Sequence, residues 1–167
     1  SIETPHMVIG YTDKGLEAMT HNMHDYANKY IMQNKEIRPV LYNSWEATEF
    51  DVHCDEQIAL AKKAKEMGVE LFVIDDGWFG ERHSDADGLG DWYVNEDKFP
   101  EGLNPLIHAV KDMGMMFGIW IEPEMVNPKS ELAEKHPEWV VGNNGREQTT
   151  TRRQWILDLS NPEVQDF

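Results

Sequence analysis

The residues best suited to chemistry are two adjacent carboxylates, Asp75-Asp76, followed at once by Gly77 and Trp78. Carboxylates accept hydrogen bonds from hydroxyls, and an indole covers the apolar face of a sugar ring. The group therefore suits a polyhydroxylated ligand. The competing reading is an Asp pair that caps a turn, with Trp78 as core, because Asp and Gly often do no more than that. The association recurs twice: Trp45 is followed by Glu46, and Trp120 by Glu122-Pro123-Glu124. Repetition favours the ligand-site reading over the turn-and-core one.

The elements around these residues explain why they should meet. Glu70-Leu71-Phe72-Val73 is an apolar run too short for a helix and bounded by Gly68, which reads as a strand buried on both faces of a parallel sheet. Arg38 to Asn43 reads as the strand before it, with Pro39 at its start, and Met115 to Ile121 as the strand after it. Each is separated from the next by a helical stripe. Leu60, Ala61, Ala64 and Met67 follow a cap at Asp55 and end at Gly68; Leu106, Ile107, Val110 and Met113 follow Asn104-Pro105 and end at Gly114. The acids and tryptophans thus fall at the C-terminal ends of parallel strands, where α/β folds bind ligands. The loop from Phe79 to about Gly102 is long enough to be functional.

Upstream, Met7-Val8-Ile9 reads as a short strand, and a helix capped by Thr12 or Asp13 runs to about Gln33. His21 and His24 lie three apart on it without a third ligand nearby, which favours surface or packing histidines over a metal site. Downstream, Ser130 to Lys135 forms a short helix, and residues 136–141 pair with 154–159 around the polar Gly142–Thr151 segment. Asn161-Pro162 opens a last helix.

Composition sets the outer limits. A chain of 167 residues with 40% hydrophobic content is ordinary for one globular domain. A net charge of −16 works against nucleic acid and anionic membranes as partners. There is no apolar run of membrane-spanning length. Cys54 is the only cysteine, which excludes internal disulfides and thiol-rich metal sites and is compatible with the cytoplasmic location expected here. The fold expected is α/β, the first part, about three βα units, of a TIM-type (β/α)8 barrel over residues 35–167, with residues 1–34 as a connector. Three units are too few to close such a barrel, so a truncated and weakly stable piece is expected.

Several motifs carry a family resemblance. Asn43-Ser44-Trp45-Glu46-Ala47-Thr48, Asp75-Asp76-Gly77-Trp78-Phe79-Gly80, Gly90-Asp91-Trp92, Trp120 to Val126, and Arg152-Arg153-Gln154 leading to Leu157-Asp158-Leu159-Ser160 resemble the motifs of α-galactosidases of glycoside hydrolase family 36, in the same order. The resemblance implies a retaining hydrolase that removes terminal α-linked galactose from melibiose- and raffinose-type oligosaccharides. It also implies that Asp75 and Asp76 hold the galactose 4- and 6-hydroxyls, that Trp45 and Trp120 line the pocket, and that Arg152 reaches a ring hydroxyl. The connector would descend from an absent β-sandwich domain, and the full-length protein is expected to be a homo-oligomer. The sequence departs from the pattern at Glu49, where an aromatic residue is expected, and at Thr151 and Arg153, which replace Gly and Asn around Arg152.

A retaining glycosidase needs a nucleophile and an acid roughly 5 Å apart. Spacing alone nominates Glu122 with Asp76. The resemblance instead places the nucleophile in a Lys-Trp-Asp motif and the acid/base Asp later still; neither is expected before Phe167, and no Lys-Trp-Asp occurs in the chain. Glu122 and Glu124 are then expected to support or anchor the loop. No cofactor is implied, because carboxylate chemistry on acetals needs none. Two other readings remain open: a galactose-binding module without catalysis, and part of a raffinose-family transglycosylase.

Overall fold

The structure is a computed structural model and describes residues 3–32, 36–142 and 152–167. The chain divides into two compact units, Ser1–Arg38 and Pro39–Phe167.

In the first unit, helix α1 spans Gly15–Tyr26 and runs on as a π-type turn over Ala27–Ile31; the expected end at Gln33 lies outside the described residues. Lys14, not Thr12 or Asp13, holds the cap position. The Thr12 hydroxyl instead accepts the Lys14 N–H at 3.1 Å, which commits it to a local turn. The strand expected at Met7-Val8-Ile9 does not form, and Met7 and Ile9 are 82% and 87% exposed. An extended run without a partner strand leaves its backbone groups to water, so apolar character alone does not make a strand.

The second unit is built on a three-stranded parallel sheet in the order β1 (Leu41–Asn43), β2 (Leu71–Ile74), β3 (Met116–Ile119). Tyr42, Phe72 and Phe117 lie in register across it. Between β1 and β2 come one helical turn, α2 (Trp45–Thr48), and helix α3 (Cys54–Glu66); between β2 and β3 comes α4 (Asn104–Asp112). The α/β alternation expected from the sequence is therefore present. β1 is shorter than expected because Pro39 has no N–H and the Val40 N–H turns to the Glu70 carboxylate, at 2.8 Å. Two caps also differ. His53 precedes α3, so Asp55 falls in its first turn, where its charge complements the helix dipole, and Leu103 precedes α4.

Helices α3 and α4 pack side by side, and Ala61, Ala64, Leu106 and Val110 enclose Phe72 and Ile74 in one core. β2 is not buried on both faces: Phe72 and Ile74 are buried, while Leu71 and Val73 are half-buried. On that second face Leu41 and Met116 stay more than half exposed.

A smaller antiparallel pair, β4 (Met125–Val126) with β5 (Trp155–Ile156), joins α5 (Glu131–Lys135) and α6 (Pro162–Asp166) around Val126, Leu132, Trp139, Leu157 and Val164. The pairing expected between residues 136–141 and 154–159 is reduced to a bridge from Val140 to Leu157, because β5 takes β4 as its partner. Residues 143–151 of the intervening segment lie outside the described residues. No helix among the described residues is long and apolar enough to cross a membrane.

Candidate functional site

The C-terminal ends of the three strands open onto one cleft of about 680 Å³. All five residues assigned to ligand binding from sequence, Trp45, Asp75, Asp76, Trp120 and Arg152, line it, together with Glu122. Parallel pairing in register brings this about. Asn43, Val73 and Gly118 stand side by side, so the segments that follow them leave the sheet at one edge.

Each acid is held by a different device. Buried Ser44, directly after β1, accepts the Asp75 N–H on its hydroxyl at 2.9 Å. Asn43 donates its amide to Asp75 Oδ2, and its own Oδ1 accepts the Trp45 N–H at 2.8 Å. One asparagine thus sets both the first carboxylate and the turn that carries Trp45. Asp75 Oδ1 accepts the Asp76 N–H at 2.8 Å.

Asp76 is only 2% exposed, and Oδ1 and Oδ2 take Arg82 Nε and Nη2 at 2.9 and 2.7 Å. Its Oδ1 also accepts the Gly77 N–H at 2.7 Å. Arg82 is fully buried; its Nη1 donates to the Asp87 carbonyl and to Asn127 Oδ1, and its guanidinium lies 5.2 Å from the centre of the Phe50 ring. Gly77 has a φ of 95°, and a Cβ there would fall 2.4 Å from the Phe50 carbonyl oxygen. The turn after the acid pair accordingly requires glycine.

The tryptophans divide by role. Trp45 lies in the cleft wall with its ring edge-on to Phe50 at 5.0 Å. Trp120 also lines the cleft and stacks over Phe79 at 6.3 Å. Trp78 is not part of the cleft wall. It is 6% exposed, and its Nε1–H donates to the Trp120 carbonyl at 2.9 Å, which ties the end of β2 to the end of β3. For Trp78 the core reading was the right one.

Glu122 is half-buried in the cleft wall. Burial pushes its carboxyl above the ordinary glutamate value, with the Arg152 charge opposing and Glu124 adding to the shift. Arg152 Nη2 meets Asp85 Oδ1 at 3.3 Å. Arg152 and Arg153 both have left-handed backbone, with φ of 54° and 56°. Asn tolerates that region better than Arg, so the departure at Arg153 has a conformational cost; Thr151 lies outside the described residues. Glu49 also has positive φ, 46°, where it closes α2.

The sequence reading missed the supports of this site. Arg82, Lys98 and Asn127 are all buried in or beside the long loop. Lys98 Nζ spends its three donors on the carbonyls of Phe50, Gly77 and Arg82, at 2.9, 2.7 and 3.1 Å. Burial lowers its ammonium below the ordinary lysine value, with Asp51, Asp76 and Glu81 opposing. One signal was available: Arg82 is the only arginine between Arg38 and Arg146, six residues after the acid pair.

The α/β chain thus gathers carboxylates and indoles at the ends of its parallel strands. The chain belongs to the melibiase family, whose model matches residues 1–167. It is 43% identical over its whole length to the α-galactosidase AgaA of Geobacillus stearothermophilus and 42% identical over 98% of its length to the α-galactosidase Mel36A of Lactobacillus acidophilus. It spans 23% of the length of each. The crystal structure of AgaA superposes on 93% of the chain with a TM-score of 0.87, which is 22% of that structure. A variant of AgaA solved with raffinose superposes with a TM-score of 0.86 at 43% identity, over the same shares of the two chains.

Proposed function

We propose that this chain is the opening part of the (β/α)8 catalytic barrel of a retaining α-galactosidase acting on terminal α-linked galactose in raffinose- and melibiose-type sugars. It contributes the galactose-holding part of the site: Asp75 and Asp76 accept the 4- and 6-hydroxyls, Trp45 and Trp120 wall the ring, and Arg152 donates to a hydroxyl. Residues 1–34 act as a connector to a preceding domain, and the division at Ser1–Arg38 is consistent with this. The nucleophile and the acid/base lie outside these residues. The observation that carries the reading is the convergence of the two carboxylates, two indoles and the guanidinium on one cleft, in a chain of the melibiase family.

The geometry also weighs against the pair nominated by spacing. A nucleophile must be free to approach the anomeric carbon, whereas Asp76 is buried and bound on both oxygens by Arg82. The test is turnover of a nitrophenyl α-galactoside by the full-length protein and by the 167-residue chain. The full-length protein should hydrolyse it and the chain alone should not. Turnover by the chain alone at enzymic rates would overturn the assignment and bring Glu122 and Glu124 back as catalysts.

A further inference from the structure

We infer that Arg82 is a positioning residue of the sugar site: its bidentate grip on Asp76 leaves that carboxylate a single acceptor direction, on Oδ2, and so limits Asp76 to one ligand hydroxyl. The inference rests on the galactose reading proposed above and goes further by dividing the work between the two acids.

The division follows from the acceptor capacity of a carboxylate, about four lone-pair directions, two on each oxygen. Asp76 Oδ1 is filled by the Gly77 N–H at 2.7 Å and Arg82 Nε at 2.9 Å. Asp76 Oδ2 accepts Arg82 Nη2 at 2.7 Å, which leaves one direction. Asp75 differs: among the described residues Oδ1 accepts only the Asp76 N–H, and Oδ2 only the Asn43 amide, so one direction remains on each oxygen. Asp75 can therefore hold two hydroxyls and Asp76 one.

The grip is also rigid. Arg82 is fully buried, its Nη1 is fixed by the Asp87 carbonyl at 2.9 Å and Asn127 Oδ1 at 3.0 Å, and Phe50 covers its guanidinium. Asn127 is in turn held by the Leu89 N–H and by its own donations to the Asp85 and Arg153 carbonyls. A buried ion pair contributes little net stability against an apolar replacement. What this one supplies is the orientation of the Asp76 carboxylate. A planar fork can fix that rotation; a lysine at the same place would keep the charge and lose the second hydrogen bond.

The test uses the full-length protein and compares competitive inhibition by galactose, 4-deoxygalactose and 6-deoxygalactose. Asp76→Asn first identifies the hydroxyl that Asp76 holds, as the one whose removal from the sugar cancels the effect of the variant. Arg82→Lys should then weaken galactose by about 10-fold or more. It should weaken the deoxy sugar lacking that same hydroxyl by less than about 2-fold. Partial misfolding lowers the competent fraction equally for all three sugars, so this ratio reads orientation and not fold. Should Arg82→Lys give no folded protein, Asn127→Ala, which removes one anchor of Arg82 and leaves Asp76 in place, must shift the ratio the same way by a smaller factor. Equal weakening of all three sugars, or none, overturns the positioning role. A wild-type protein that does not prefer galactose to either deoxy sugar overturns the underlying galactose reading instead.

Discussion

Within these 167 residues the long loop after β2 is better buried than one face of the three-stranded sheet that launches it, the face that the remaining strands of the proposed barrel would cover. Loops ordinarily lie on the surface, and parallel strands are ordinarily buried. Here Phe79, Arg82, Leu89 and Phe99 of the loop are at most 1% exposed, whereas Leu41 and Met116 of the sheet are 54% and 51% exposed. The loop is also where the buried polar groups find partners. Asn95 and Lys98 satisfy its carbonyls at Gly80 and Arg82 from within, and Asn127 accepts its Leu89 N–H from outside, at distances of 2.6 to 3.1 Å. The sheet sets the direction of the acids, Asn43 at its edge holds Asp75, and the loop fixes the orientation of Asp76 through Arg82. If that is right, damage to the loop should cost more than damage to the open face of the sheet.

The largest effect is expected at Lys98. Lys98→Met removes one ammonium from three carbonyls and leaves them without a donor, which should cost about 4 kcal/mol in urea unfolding. Gly77→Ala comes next, at about 3 kcal/mol in the same assay, because the φ of 95° and the contact with Phe50 cannot both be relieved. In the 167-residue chain, Met116→Thr on the open sheet face should change stability by less than about 1 kcal/mol. A Met116→Thr cost equal to that of Lys98→Met would abolish the contrast.

A smaller effect is expected from pH. Asp91 caps α5 by accepting the Glu131 and Leu132 N–H groups, each at 3.0 Å, yet burial raises its carboxyl above the ordinary value of 3.8, with those hydrogen bonds opposing. A carboxyl raised on folding binds its proton more tightly in the folded state. Its stabilising contribution is therefore full below 3.8 and is lost as pH rises through the folded value. The stability difference between wild type and Asp91→Asn should fall with rising pH across that window in a melting series. A difference that rises would show the two N–H groups to outweigh burial.

Much of this was legible in the sequence. Short apolar runs bounded by glycine located β2 and β3, and stripes such as Ala61, Ala64 and Leu106, Val110 located the helices that cover one face of the sheet. The acid and tryptophan motifs at the strand ends pointed to one cleft because parallel strands in register leave no other arrangement. What was not legible depends on contacts distant in sequence. Asp91 caps a helix 40 residues away, and Asn127 meets Arg82 across 45. Trp78 and Trp120 have the same local signature of aromatic beside acid, and only the fold sends one into the core and the other to the cleft. The strand misread at Met7–Ile9 shows the reverse error, a local signal with no partner to complete it.

The most direct test is the structure of the full-length protein with galactose bound. The sugar is expected in the cleft between Trp45 and Trp120, with its 4- and 6-hydroxyls about 2.5–3.0 Å from Asp75 and Asp76, the contact to Asp76 made at Oδ2 and never at Oδ1, Arg82 still paired. Galactose bound elsewhere, or an Asp76 turned away from Arg82 to meet it, would contradict that claim.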